Sequence, residues 1–172
     1  MGKRSNFLRI ERDDYPTPAS AVQPLLAWLE RPTRFIEPCI GRGALADHLV
    51  HAGHVCVGRH DLPVDARSAR YSVADGTVII TNPPGWGRRD FLAELIVNFA
   101  DQMPAWLLLS ADFAHNVSSG QLLRLRCRMI ISVGRVKWFP DSEHAGFDNV
   151  AWYLFGTVNE IGVTRFVGRV AA

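Results

Sequence analysis

The sequence predicts an α/β sandwich around a mainly parallel seven-stranded sheet that ends in a C-terminal antiparallel hairpin. Three observations carry that prediction. Short apolar runs alternate with segments of helical periodicity through most of the chain, the pattern of a sheet covered on both faces. The last two strong strands, "RMIISVG" and "NVAWYLFG", are separated by "RVKWFPDSEHAGFD" alone, a connection that suits an antiparallel pair. Finally, 172 residues with 48% hydrophobic and 21% charged side chains suit one domain with a real core.

Each element can be justified in order. Residues 1–14 are polar and are expected to form a mobile N-terminal arm, with 15–172 as a single domain. After "YPTP", Val22, Leu25, Leu26 and Leu29 recur at helical spacing, and Pro24 demands a late start or a kink. "RFIEPC", Arg34 to Cys39, reads as a buried strand. "GALADHLVHAG" reads as a helix with Leu45, Leu49 and Ala52 inward and Gly53 as its stop. "VCVGRHDL" and "TVIITN" are the second and third strands. "RRDFLAELIVNFADQ" is the strongest helix, with Leu92, Leu95, Ile96 and Phe99 on one face. "AWLLLS" is a strand, "SGQLLRLRC" a helix, and "GVTRFVG" an extra strand after the closing pair.

Composition narrows the function classes. No apolar run approaches the roughly 20 residues of a membrane helix, and the N-terminus lacks the apolar core of a secretory signal, so cytoplasm without membrane contact is the expectation. Cys39, Cys56 and Cys127 are odd in number and widely spaced, which suggests neither a disulfide framework nor a zinc cluster. "HLVHAGH" lacks the spacing of zinc ligands and reads as a polar helix face, so no metal is expected. A net charge of +2 neither demands nor excludes nucleic acid. Nearly all basic residues are Arg, which suits bidentate phosphate recognition, although genomic base composition produces the same bias.

Two strand ends carry chemistry. "IEPCIGRGAL" leaves the first strand and opens a helix. Gly41 and Gly43 let backbone approach a ligand, the helix N-terminus offers N–H groups to an anionic moiety, and Glu37 can accept a hydrogen bond from an ammonium. Taken alone, this glycine pair also fits an ordinary tight turn. "VIITNPPGWG" ends a buried strand on a rigid Asn-Pro-Pro, at the carboxyl edge where open α/β sheets bind ligands.

"EPCIGRGAL" resembles motif I of class I S-adenosylmethionine-dependent methyltransferases, especially the DNA amino-methylating enzymes. "TNPPGW" resembles their catalytic (Asn/Asp)-Pro-Pro-aromatic motif IV, and "YPTP" their Thr-Pro segment over the methionine end of the cofactor. The C-terminal "GRVKWFPDSEHAGFDNVAWYLF" is similar to the closing hairpin of small phage and prophage N6-adenine methyltransferases. The resemblance spans about residues 15–155. It implies a Rossmann-like fold, S-adenosyl-L-methionine as cofactor, and methylation of adenine N6 in double-stranded DNA with the target base flipped. Cytosine N4, RNA bases and protein glutamine remain open as acceptors, since Asn-Pro-Pro serves them as well. A degenerate DNA- or protein-binding relative also remains open.

The resemblance assigns roles residue by residue. Asn82 Oδ1 and the Pro83 carbonyl would accept the hydrogens of the amine, Pro83 and Pro84 would hold that carbonyl still, and positioning would supply much of the rate. Trp86 would stack on the flipped base. The family places its aromatic directly after the second proline, whereas Gly85 stands there in this chain. Either flanking glycines let Trp86 swing into that place, or the stacking wall is lost.

Tyr15, Thr17, Pro18, Glu37, Cys39, Gly41 and Gly43 would contact the cofactor, and Asp61, beside His60, would grip its ribose. Thr17 would bond the cofactor carboxylate, cap the next helix with Pro18 at its first position, or do both. The stretch before "TVIITN" is short, which leaves Asp65 and Asp75 as alternative contacts to the cofactor adenine, or as turn caps. For DNA, Arg88, Arg89 and the alternating Arg124, Arg126 and Arg128 are candidates, and Trp138 and Phe139 stand where the family brings an aromatic to the base. No separate target-recognition domain is visible. Specificity would come from short loops or a homodimer, or be lax.

Overall fold

The computed structural model describes residues 15–84, 89–139, 146, 148–158 and 163–169. The expected N-terminal arm, Gly85, Trp86 and Arg88 lie outside them. Seven strands form one sheet in the order β2-β1-β3-β4-β6-β5-β7. They are β1 Arg34–Glu37, β2 Val55–Arg59, β3 Val78–Thr81, β4 Ala105–Ser110, β5 Cys127–Arg135, β6 Asn149–Phe155 and β7 Arg165–Val167. The pairings β1/β2, β1/β3, β3/β4 and β5/β7 are parallel. Strand β6 is inserted antiparallel between β4 and β5, so the expected closing hairpin is present.

Among the described residues four α-helices, α1 Ala19–Leu26, α2 Ala44–His51, α3 Arg89–Ala100 and α4 Gly120–Arg126, cover the sheet. Strand alternation sends successive side chains to opposite faces, and both faces are apolar. Phe35, Ile80, Trp106, Leu108 and Trp152 meet α1 and α2 through Val22, Leu25, Leu45 and Leu49. Ile36, Ile79, Leu107, Leu109 and Tyr153 meet α3 through Leu92, Leu95, Ile96 and Phe99. The chain leaves β1 outward through α2 to β2, then returns past β1 to β3 and continues through α3. This reversal opens a crevice at the carboxyl ends of β1 and β3, where doubly wound sheets bind ligands.

Several boundaries differ from expectation for physical reasons. Strand β1 stops at Glu37 rather than Cys39, because Pro38 has no N–H for the ladder. Helix α1 starts at Ala19 and carries Pro24 as its sixth residue, ending two residues later; a late start is therefore not the solution adopted. In α2, Ala46 rather than Ala52 takes the inward place, and Ala52 is the C-cap. As the division between "SGQLLRLRC" and "RMIISVG" implies, Arg124 and Arg126 lie on α4 and Arg128 on β5. Arg126 pairs with Asp101 at 2.7 Å, and Arg128 donates to the Thr157 carbonyl at 2.9 Å.

Between β2 and β3, residues 60–76 run without helix or strand. Side chains of α3 and the turn after it hold this stretch. Asn98 Nδ2 donates to the carbonyls of Ala66 (2.8 Å) and Ala69 (3.1 Å), and Gln102 Oε1 accepts from the Tyr71 N–H at 3.0 Å. Ala66, Tyr71 and Val73 add apolar contact on the α3 face.

Candidate functional site

Beyond β1 the chain makes two tight turns before α2. Gly41 has φ +48° and Gly43 φ +83°, left-handed values that cost other residues about 1–2 kcal/mol. Gly43 is the N-cap of α2, and its N–H donates to the Ile40 carbonyl at 2.8 Å. Backbone bonds join this loop to the end of β2: Ile40 N–H to the His60 carbonyl and His60 N–H to the Glu37 carbonyl, both 2.9 Å.

Glu37, 2% exposed, turns its carboxyl to the start of α2, where the Ala46 N–H donates to it. Its Oε2 is buried with no hydrogen-bond partner. Burial dominates and pushes the carboxyl up to about 8, although Ala46 and Arg59 pull the other way. Nearby, burial pushes the Cys39 thiol up to about 12, so it is a neutral packing group and not a nucleophile at ordinary pH.

Across the crevice, β3 delivers Asn82, then the buried Pro83, then Pro84. Asn82 Nδ2 donates to Thr17 Oγ1 at 3.2 Å. Thr17 therefore does not cap α1: the N-cap is Pro18, with no side-chain cap bond, and Pro18 is not the first helical residue.

A cleft of about 850 Å³ joins these strand ends. Of the residues singled out in the sequence, it is lined by Tyr15, Thr17, Glu37, Cys39, Gly41, Asp61, Asn82 and Pro84. Gly43 is not in the lining, although its neighbours Arg42 and Ala44 are. Pro18 is not in the lining, and neither is Asp75, which sits in the turn before β3. Asp61 accepts the Leu62 N–H at 2.8 Å and is exposed. Asp65 lines the cleft and is also a turn cap, accepting the Arg67 N–H at 3.0 Å and the Arg67 guanidinium at 2.7 Å.

Tyr15 closes one side of the cleft and packs on Trp138 and Phe139, with ring centroids 6.2 and 5.8 Å away. Those two aromatics thus meet the N-terminal segment next to the cleft, with Trp138 partly buried and Phe139 exposed. Arg89 is the first residue of α3. His54 faces inward and accepts the Thr33 N–H at 3.2 Å, a structural task for the last histidine of "HLVHAGH".

The sequence reading missed Arg67 and Phe91. Both line the cleft, with the Arg67 guanidinium 5.4 Å from the Phe91 ring centroid. Phe91 had a signal: it stands off the apolar stripe of Leu92, Leu95, Ile96 and Phe99, where a helix on a sheet normally carries polar residues.

No protein-family model matches the chain, and no curated protein matches it. Solved structures do share its architecture. A modification subunit of a putative type I restriction enzyme from Vibrio vulnificus superposes with a TM-score of 0.60 at 12% identity, covering 92% of this chain and 47% of that one. A putative class I S-adenosylmethionine-dependent methyltransferase from Listeria monocytogenes gives 0.54 at 10% identity, over 92% and 67%. A putative RNA methyltransferase from Pyrococcus horikoshii gives 0.52 at 16% identity, over 84% and 88%. The chain spans about half the length of the Vibrio subunit and most of the Pyrococcus protein. Its α/β fold, a seven-stranded, mostly parallel sheet with an antiparallel pair, is thus shared with solved S-adenosylmethionine-dependent methyltransferases.

Proposed function

We propose that this chain transfers a methyl group from S-adenosyl-L-methionine to adenine N6 in double-stranded DNA, acting as a single catalytic domain of the cytoplasm. The observation that carries the reading is the meeting of two strand ends in one cleft. A glycine turn and a buried acid lie at the end of β1, and Asn-Pro-Pro lies at the end of β3.

The residues fit the cofactor on their own terms. Glu37 Oε2 is a buried acceptor without a partner, which suits an ammonium group. Asp61 is exposed at the rim for ribose hydroxyls, and Ala44 and Leu45 bring the start of α2 to the wall. When bound, the cofactor supplies an electrophilic methyl on a sulfonium. An exocyclic amine is a poor nucleophile because its lone pair is delocalised into the ring. Asn82 Oδ1 and the Pro83 carbonyl accept its two hydrogens, which returns electron density to nitrogen and fixes its approach. Pro83 and Pro84 add no competing donor and restrict φ. Orientation, not a titrating base, then carries much of the rate, and the proton that nitrogen sheds as the new N–C bond forms and the C–S bond breaks passes to water. A base reaches this cleft only by leaving the duplex stack, with Trp86, Trp138 or Phe139 as stacking partners.

Labelled S-adenosylmethionine offered with unmethylated genomic DNA, followed by nucleoside separation, tests the reading. Label in N6-methyladenine supports it. Label in N4-methylcytosine moves the acceptor, and cofactor binding with no label in DNA removes DNA as substrate. A second reading, an RNA base as acceptor, is favoured by the similarity to the Pyrococcus protein over 84% of this chain; the same assay with RNA separates the two.

A further inference from the structure

Thr17 is 4% exposed and spends its side chain on Asn82, 65 positions away, rather than on α1. The two prolines after Asn82 restrict the backbone but leave its terminal torsion free. Such sp²-terminated torsions are broad and two-fold, so the amide can present either its oxygen or its NH₂ to the cleft. Only the oxygen can accept from an amine.

A hydroxyl alone does not decide between them, because it both donates and accepts. It does decide once its single proton is committed elsewhere. Thr17 lines the cleft, so an anionic acceptor there can take that proton. Thr17 Oγ1 is then left with lone pairs only, Asn82 must offer Nδ2, and Oδ1 must face the acceptor amine.

We propose that Thr17 is a positioning residue that couples occupancy of the cofactor's carboxylate end to the orientation of the Asn82 amide. The cofactor thereby locks the orientation already seen, Nδ2 on Thr17 Oγ1 with Oδ1 left for the amine. This rests on the cofactor assignment above, but not on adenine being the acceptor.

The test uses the full chain with ¹⁵N-asparagine, the Asn82 side-chain signal being the one lost in Asn82→Ala. S-adenosylhomocysteine, which carries the same carboxylate, is titrated into wild type, Thr17→Val and Thr17→Ser. The expected result is a slowed hydrogen exchange and a shifted Asn82 NH₂ signal on binding in wild type and Thr17→Ser, with neither change in Thr17→Val. At saturating cofactor, single-turnover methyl transfer should fall roughly 10- to 100-fold in Thr17→Val, the range for one lost buried hydrogen bond, and recover in Thr17→Ser. An unchanged Asn82 response in Thr17→Val overturns the proposal, as does a loss confined to cofactor affinity. If wild type binds no S-adenosylhomocysteine, the cofactor assignment falls and this proposal with it. If it binds but methylates no DNA, only the acceptor is wrong, and the amide signal still decides the role of Thr17.

Discussion

At the end of β1 a carboxyl is buried with one oxygen unpartnered; at the end of β3 an amide stands with its NH₂ already bonded to Thr17. The two groups face one cleft, yet they solve different problems. Glu37 is held in an unfavourable state that a cationic ligand would relieve, so its part in the site depends on pH and on the ligand. Asn82 has no proton to gain or lose in the ordinary range, so its contribution is geometric. Recognition at β1 should therefore titrate, and the chemical step at β3 should not.

The largest break in that contrast is Asn82→Ala. Removing one preorganised hydrogen-bonding group from a reacting centre costs on the order of 10²- to 10³-fold in rate. We expect that loss in single-turnover methyl transfer, at every pH tested, with cofactor affinity from calorimetry close to wild type. An equal loss in affinity would mean that Asn82 belongs to the cofactor's wall and not to the reacting amine.

Glu37→Gln tests the other strand end. The Glu37 carboxyl is raised to about 8, so cofactor affinity in wild type should climb as pH rises towards 8, relative to the variant. Any titration of the ligand itself is common to both proteins. Above pH 8 the variant should bind roughly 10- to 100-fold more weakly, the worth of one charge-assisted bond. Stability without ligand runs the opposite way. A carboxyl whose folded value lies above its unfolded value keeps its proton more tightly in the folded state. Its contribution is present below about 4.5 and is lost as pH rises towards 8. Unliganded Glu37→Gln should therefore melt above wild type at pH 8, and the two should converge at pH 4.5. A wild type that melts higher at pH 8 would mean that the carboxyl is ionised and paired.

Gly43→Ala is a smaller perturbation. At φ +83° the new Cβ meets nothing closer than Arg59 Nη1 at 3.4 Å, so the cost is backbone strain of about 1–2 kcal/mol, or roughly 2–8 °C in melting temperature. Gly53→Ala is its control, with φ +92° and no atom within 4 Å of the Cβ. Both should lose similar stability, while only Gly43→Ala should lose cofactor affinity. Equal affinities would show that the glycine turn serves the fold alone.

What the sequence disclosed follows the same division. The alternation of Phe35 with Ile36 and of Ile79 with Ile80 is a local, repeated signal, and it predicted a sheet buried on both faces. Asn82, Glu37 and the glycine turn were legible because each strand end states its own chemistry within a few residues. The Asn82–Thr17 bond was not, since it spans 65 positions and a Thr before Pro-Ala-Ser resembles an ordinary helix start. Nor was the packing of 60–76, where Asn98 and Gln102 on the α3 side replace a regular element with side chain to backbone bonds. The helix-to-strand boundary near Cys127 was legible, since "SGQLLRLRC" and "RMIISVG" divide there and separate Arg124 and Arg126 from Arg128.

The smallest effects bear on how Glu37 is tuned. Arg59 and Asp47 form an exposed pair, 2.7 Å apart, that ties β2 to α2. Such pairs contribute roughly 0–1 kcal/mol, so removing either partner should barely move the melting temperature. Their fields at Glu37 have opposite signs: Arg59 lowers its carboxyl and Asp47 raises it. Arg59→Ala should therefore displace the pH midpoint of cofactor affinity upward, and Asp47→Ala should displace it downward. Salt should shrink both displacements, because the two charges are exposed and screened within a Debye length of about 8–10 Å. Asn82→Ala, by contrast, should leave the midpoint where it is. If both charge variants moved the midpoint in one direction, the fields of Arg59 and Asp47 would not be its cause, and the tuning of Glu37 would lie instead in how β2 is tied to α2.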